Sequence, residues 1–389
     1  MQDFTMKIRM VDSVCYDNWH LNFNSQLIEI LTNVASSVEY RGAQKIGLNK
    51  LNVRSKNLYV IKGTGPWNII LRFIFTIFND IWQLFISPHD QIIVYSFDAT
   101  VSVRLINFIN KILKKRIIMF RHGSMEMLQT SPTGKGIFYS FENNLTRQFF
   151  LNKHIKISSN LHFFVLGDII LKNLYSRLPE NIMSNFYSID HPYDFNRNTY
   201  VKKNKETKEL NIGTVGVFNE YKGGKDFLQL AKLLKHKKAV NVNLFISGRI
   251  NFNISLLKKA GINLPSNEGR SMISAEELNN RIDQLDFVLY FYPSDTYRLT
   301  ASGAIFDAIN RKRPIIAIRN DYFEYIFTKF GSIGYLVDSV SEMADIIFLI
   351  SKKSEKNIDF DFEKVQNLLS VQNLTKIFSK QLQEIGFDK

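Results

Sequence analysis

Residues 286–317, DFVLYFYPSDTYRLTASGAIFDAINRKRPIIA, constrain this chain more than any other stretch. An apolar run of strand length at 287–291 leads into a polar loop that ends in Ser302-Gly303. A segment of helical spacing follows, then a second apolar run at 314–318. Strand, loop, helix, strand is the repeating unit of a parallel sheet with helices on its faces. A loop that feeds a helix start presents N–H groups with no intrahelical acceptor at the positive end of the helix dipole, which favours an anion there. Asp307 lies four residues beyond Gly303, about one turn into the helix, within reach of a hydroxyl on the molecule that carries the anion. A phosphate and a hydroxyl held side by side suggest a nucleotide.

The same alternation runs through the rest of the chain. In the first half the pattern predicts strands at 8–14, 58–62, 91–96, 116–121, 155–158 and 185–189, with helices at 23–35, 67–86, 99–113, 141–151 and 161–174. His191-Pro192-Tyr193-Asp194 and a Lys/Asn/Glu/Thr-rich stretch then interrupt it. Pro192 disfavours helix at His191, and the composition is that of an exposed connector. The alternation restarts with strands at 210–217, 240–247, 287–291, 314–318 and 334–337, helices between them, and a long helix or helix pair at 362–385. The expected organisation is an α/β chain of two Rossmann-like domains facing across a cleft: a first domain at 1–195, a linker at 196–209, a second domain at 210–360, and a helical segment at 361–389.

Composition narrows the function classes. The 389 residues carry a formal charge of +14, spread over the chain with short runs such as Lys114-Lys115-Arg116. No zinc-finger spacing, long basic helix or RNA-binding signature accompanies that charge, so nucleic acid is not expected as a partner. A solvated lysine-rich surface and an anionic membrane surface both remain open. Cys15 is the only cysteine, which excludes an internal disulfide and fits a reducing compartment. The N-terminus, Met-Gln-Asp-Phe-Thr-Met-Lys, runs into a strand-like segment and does not read as a secretory signal.

The segment 67–86, WNIILRFIFTIFNDIWQLFI, is strongly apolar, but Arg72, Thr76, Asn79, Asp80 and Gln83 recur every three or four residues. It reads as a helix with one polar stripe and a wide apolar face, interrupted too often to span a bilayer comfortably. A helix sandwiched in the core and a membrane-docking face are the two alternatives.

The second half resembles the donor-binding domain of GT-B glycosyltransferases, specifically the retaining glycosyl transferases group 1 type of bacterial surface-polysaccharide and lipopolysaccharide synthesis. The resemblance rests on Ile212-Gly213-Thr214-Val215-Gly216 with Lys222-Gly223-Gly224, on Phe245-Ile246-Ser247-Gly248, and on Tyr292-Pro293-Ser294 through Ser302-Gly303, Asp307-Ala308 and Pro314-Ile315-Ile316-Ala317. It implies that Lys222 lies against a donor diphosphate, that the Ser302 and Gly303 amides meet that diphosphate, and that Asp307 binds ribose hydroxyls. The family's first glutamate is replaced by Leu299, and its arginine after the first strand of the domain by Val217-Phe218. Arg298 or Arg249 is the expected second positive charge. In the first half, Arg121-His122-Gly123-Ser124-Met125-Glu126 closes a strand. His122 resembles the family's cleft histidine, implying a role in positioning the sugar, or as general base if the anomeric centre inverts. Glu126, four residues on, is its candidate partner in catalysis. Trp19 and His20, after the first strand, suit stacking and hydrogen bonding on the acceptor side. The final helix is expected to cross back to the first domain.

Taken together, the resemblance implies a cytoplasmic, metal-independent transferase, peripheral at the inner membrane face. It would need no cofactor beyond the nucleotide diphosphate sugar co-substrate and would act on a glycan or lipid-linked acceptor. A catalytically silent subunit of the same fold is the alternative raised by the two missing residues.

Overall fold

A computed structural model describes residues 6–17, 19–46, 53–63, 65–129, 137–195, 209–294, 296–352 and 360–388. The chain separates into two compact units. The first holds residues 1–194, 299–301 and 369–389, and the second holds the remainder. Most of the expected linker, 196–208, lies outside the described residues, as do Asn18, Lys135 and Asp295.

The first unit begins with β1 (Lys7–Asp12), α1 (Leu21–Val34), β2 (Ser37–Gly42), β3 (Val53–Asn57), α2 (Pro66–Ile86) and β4 (Gln91–Phe97). It continues through α3 (Ser102–Leu113), β5 (Arg116–Arg121), α4 (Ile137–Phe150), β6 (Leu161–Val165), α5 (Asp168–Tyr175), α6 (Glu180–Met183) and β7 (Phe186–Ser188). All seven strands are parallel, in the order β3-β2-β1-β4-β5-β6-β7. β1, β4, β5 and β6 are buried on both faces and are correspondingly rich in Ile, Val, Phe and Met.

Three expectations in this unit are corrected. Residues 155–158 are not a strand, and 161–165 are not the start of a helix: Leu161-His-Phe-Phe-Val is β6, paired with β5 from Ile117–Leu161 to Arg121–Val165. A short apolar run fits either state, and here pairing with β5 decides. Gly167, at φ 138°, ends the extended stretch and opens α5. The strand expected at 58–62 lies earlier, at β3, whose exposed residues show no apolar alternation because it is the sheet's edge.

The second unit holds β8 (Leu210–Val215), β9 (Phe218–Asn219), α7 (Gly224–His236), β10 (Val242–Ser247), β11 (Ile250–Asn251), α8 (Ile254–Lys259), α9 (Ala275–Gln284) and β12 (Phe287–Tyr290). Then come α10 (Gly303–Asn310), β13 (Ile315–Ile318), α11 (Asp321–Phe330), β14 (Gly334–Val337), α12 (Val340–Lys352) and α13 (Glu363–Leu368). Its five-stranded sheet is parallel, in the order β10-β8-β12-β13-β14. The last helix, α14 (Val371–Glu384), belongs to the first unit, where Val371, Leu374, Phe378 and Leu382 join the core formed by β1, α1, β5 and β6.

Each sheet therefore has a point where the chain leaves neighbouring strands in opposite directions: between β1 and β4 in the first unit, and between β8 and β12 in the second. In open parallel sheets the loops at the carboxyl ends of such strands splay apart and leave a crevice.

At the first of these edges, Arg121 makes two hydrogen bonds to Asp98, at 2.8 and 2.9 Å, with both side chains buried. Both bonds leave one nitrogen, Nη1, which bridges the two carboxylate oxygens and ties the residue after β4 to the end of β5. Removing one partner strands the other as a buried charge. Arg121→Met is expected to cost about 3–5 kcal/mol in urea unfolding, and Arg121→Met with Asp98→Asn to recover most of that loss.

Candidate functional site

The crevice edge of the second sheet is built by glycines. Gly216, just past β8, has φ +86°, and Gly248, just past β10, has φ +151°. A Cβ at Gly248 would overlap the Gly216 carbonyl. Gly223, at φ +80°, leaves no room for a side chain against the Phe291 backbone. Side chains are excluded from these positions, so backbone lines the edge.

Three groups converge on the place this clears. A Cβ built on Gly216 would lie 3.4 Å from Ala304 Cβ and 4.0 Å from Lys222 Nζ. The end of β8, the first turn of α10 and the Lys222 ammonium thus share one small region. Lys222 closes a single helical turn at 220–222 that Asn219 caps, its Oδ1 accepting from the Lys222 N–H at 2.9 Å. The ammonium sits 5.7 Å from the Tyr292 ring centre and 6.0 Å from that of Tyr297, where the ring faces attract it. A cavity beside it is lined by Thr214, Val215, Lys222, Leu289 and Tyr292, among others.

Tyrosines hold the start of α10. The Tyr292 and Tyr297 rings stack at 4.1 Å, and Tyr297 takes a left-handed φ of 57°, rare for an aromatic residue. Tyr292 Oη and Ser302 Oγ are hydrogen-bonded at 2.9 Å, the Ser302 N–H donates to Tyr322 Oη at 3.2 Å, and Tyr290 Oη donates to the Ala304 carbonyl at 2.7 Å. Ser302 is buried, and its amide is committed to Tyr322. The helix amides that face outward therefore begin at Gly303, which is exposed and has no heavy atom within 4 Å of a built Cβ. Asp307 lies on the same helix, half-buried. Arg298 is half-exposed, with Nε 3.1 Å from Asp321 Oδ2, and Arg249 is exposed beside Gly248.

Leu299 stands where the resemblance leads one to expect an acid. It is fully buried with Met125 and Leu128 in the first unit's core, and its N–H donates to Glu126 Oε1 at 2.9 Å. Glu126 also accepts from Gln129 Nε2. Its carboxylate is thus an anchor for the 299–301 segment.

In the first unit the loop after β1 is pinned by Asp12, which accepts from the Val14 and Cys15 amides at 3.0 and 2.8 Å and from Asn24 Nδ2. The loop carries Trp19 and His20, both exposed; His20, at φ 55°, is also left-handed. His20 lies 4.7 Å from the Phe97 ring and 5.8 Å from that of His122. His122 stacks on Phe97 at 3.9 Å and meets the edge of Phe23 at 4.2 Å. Its Nε2 donates to the Ser96 carbonyl at 3.0 Å, since a carbonyl only accepts, which leaves Nδ1 as the acceptor of a neutral ring. Burial, with His20 and His191 nearby, holds its pKa well below the ordinary histidine value. His191, buried and 5.3 Å from the Phe23 ring, is pushed down to about 4, mainly by burial. The structure thus gathers Trp19, His20 and His122 at the ends of β1, β4 and β5, with His191 as a member the sequence reading missed. Lys222, Gly303 and Asp307 gather at the second edge, where the tyrosines were the missed members.

Several solved structures superpose on nearly the whole chain. Anabaena HepE, solved in complex with UDP and glucose, has a TM-score of 0.60 at 12% identity, covering 97% of this chain and 99% of its own. WaaG, a glycosyltransferase involved in lipopolysaccharide biosynthesis, has a TM-score of 0.60 at 13% identity, with 96% and 99% covered. WaaB, a lipopolysaccharide outer core galactosyltransferase, has a TM-score of 0.56 at 12% identity, with 97% and 99% covered. At such identities the likeness shows the fold: two Rossmann-like units of GT-B type. No family model matches the chain, and no curated protein matches it by sequence.

Two outcomes follow. Gly303→Ala should leave the thermal midpoint unchanged or raise it, because space is open and alanine favours helix by up to about 1 kcal/mol, whereas Gly216→Ala should lower it through about 1–2 kcal/mol of left-handed strain. The second concerns pH. A histidine whose folded pKa lies below its unfolded value binds its proton more weakly when folded, so stability is fully present above about pH 6.5 and falls as pH drops toward 4. His191 should account for up to about 3 kcal/mol of that fall, and His191→Gln should flatten the pH dependence of the urea midpoint by that share.

Proposed function

We propose that this chain is a glycosyltransferase that takes a sugar from a nucleoside diphosphate sugar and passes it to a glycan or lipid-linked acceptor, as in surface-polysaccharide synthesis. One observation carries the reading: Lys222 Nζ, the first turn of α10 and the side-chain-free end of β8 converge at the switch point of the second sheet. A diphosphate placed there meets a point charge, the Gly303 amide and the positive end of a helix, all oriented before it arrives. The complexes of HepE with UDP and glucose, and with UDP-glucose, support a nucleotide sugar as the ligand of this fold.

The chemistry asked of such a site is departure of the diphosphate. Negative charge builds on the bridging oxygen as the glycosidic bond breaks, and donors fixed in advance stabilise it without reorganising. On this reading Lys222 and the α10 amides do that work, with Arg249 or Arg298 as a second cation and no metal required. Asp307, one turn along α10, takes the ribose hydroxyls. Hexosyl transfer is the expected reaction. His122, neutral and with Nδ1 as acceptor, is the candidate to orient a sugar hydroxyl or to take its proton. Trp19 and His20 form the acceptor side, and Glu126 acts by holding the 299–301 segment in place.

Calorimetry with UDP and with uridine tests the diphosphate site. UDP should bind clearly tighter than uridine, and Lys222→Ala should weaken UDP by about ten- to a hundredfold, the worth of a charge-assisted contact. Gly303→Ala should weaken UDP without lowering the thermal midpoint. Equal binding of UDP and uridine, with Lys222→Ala indistinguishable from the parent, would favour a catalytically silent subunit. Sugar transfer that persists in excess chelator supports metal independence, and its complete loss refutes it.

A further inference from the structure

α2 is inserted into the fold with its polarity reversed. Its polar stripe is buried: Thr76, Asp80 and Gln83 are inaccessible. The buried groups are tied to the sheet. Thr76 Oγ1 donates to the Ser13 carbonyl at 3.1 Å, and Asp80 accepts from Ser13, from the Ala99 N–H at 3.1 Å and from Ser102 Oγ at 2.6 Å. Tyr95 Oη donates to the Asp80 carbonyl at 2.7 Å, and Arg72 Nη1 to the Gly63 carbonyl at 3.1 Å. Rotating the helix to bury its apolar side would orphan all of these groups.

The apolar side therefore faces out. Trp67 is 75% exposed, Phe78 60%, and Ile74, Trp82 and Phe85 about half, along a helix of 21 residues, or about 31 Å. α3 packs beside α2 and continues the face with Leu105, Phe108 and Ile112, the last 76% exposed. The described residues of 66–88 and 99–116 contain one acid, Asp80, which is buried, while Arg104, Lys111 and Lys114 are exposed. An open groove beside this face, lined by Arg104, Arg147, Gln148, Leu151 and Asn152, holds two guanidinium groups and no carboxylate.

We propose that the α2–α3 face docks the protein on an anionic phospholipid surface, with α2 lying in the interface and the Arg104–Arg147 groove receiving phosphate headgroups. α2 is long and apolar enough to cross a bilayer by length and composition, but its bonded polar stripe keeps it on the fold, so it lies flat. The charge pattern selects this occupant. An apolar face whose two helices expose cations and no acid among the described residues attracts anionic lipid, whereas two copies meeting on it would set like charge against like. Trp67 and Trp82, at either end of the exposed stripe, suit the headgroup level. This inference is independent of the catalytic reading.

Co-sedimentation of the full chain with phosphatidylcholine vesicles, with and without phosphatidylglycerol, tests it. Binding should require phosphatidylglycerol and weaken with added salt. The triple variant Phe78→Ser, Trp82→Ser, Phe108→Ser should bind at least about tenfold more weakly while keeping its thermal midpoint, since these side chains are exposed. Arg104→Glu with Lys111→Glu should abolish the preference for phosphatidylglycerol. Failure of the parent protein to bind anionic vesicles, or a triple variant that binds as the parent does, overturns the proposal. So does a stable dimer that ignores vesicles and that the triple variant converts to monomer, which would assign the face to a second copy.

Discussion

The strands β8 and β10 end with their backbones in contact, Gly248 against the carbonyl of Gly216. No side chain fits between them, and the positive φ at both positions suits glycine alone. Ala304 at the start of α10 and the Lys222 ammonium both reach the space this leaves. A Cβ on Gly248 would push the two strand ends apart, whereas one on Gly216 would fit against Ala304 and Lys222 and be opposed only by the left-handed backbone. The charge of Lys222, seated near two stacked tyrosines, and the first turn of α10 that starts at the exposed Gly303 share that space.

The alternation of strands and helices was readable because both sheets are parallel and buried, so each strand is an apolar run bounded by turns. Where reading failed, the deciding information was not local. β6 looks like the first turn of a helix until Leu161 is set beside Ile117. β3 is an exposed edge, and its residues VRSKN carry no apolar signal. The crevice edge of the second sheet divides the same way. Gly303 and Asp307 were singled out by short-range spacing and Lys222 by a family resemblance, and all three lie at this edge. The tyrosine that takes the Ser302 amide lies twenty residues further on, and the Glu126–Leu299 hydrogen bond joins positions 173 residues apart. That bond also gives a physical reason for the leucine: the position is a plug in the first unit's core, where a glutamate side chain would be buried without a partner.

The histidines illustrate how one aromatic frame sets protonation. Phe97 stacks on His122, and Phe23 meets both His122 and His191 edge-on. Apolar rings on several sides disfavour the imidazolium form, while the Ser96 carbonyl selects which nitrogen keeps the proton. The Arg121–Asp98 pair, one residue before His122, keeps β4 and β5 aligned so that Phe97 and His122 stay stacked.

α14 completes a core begun some 360 residues earlier in the chain: Phe378 packs with Phe120 and Phe164, and Leu374 and Leu382 share a cluster with Ile8 and Phe23. During synthesis, the part of the first sheet that α14 covers therefore stays open until after the described strands of the second unit have left the ribosome. Until α14 arrives, the apolar side chains of β1, α1, β5 and β6 that it covers stay open on the nascent chain, the kind of surface through which folding intermediates associate.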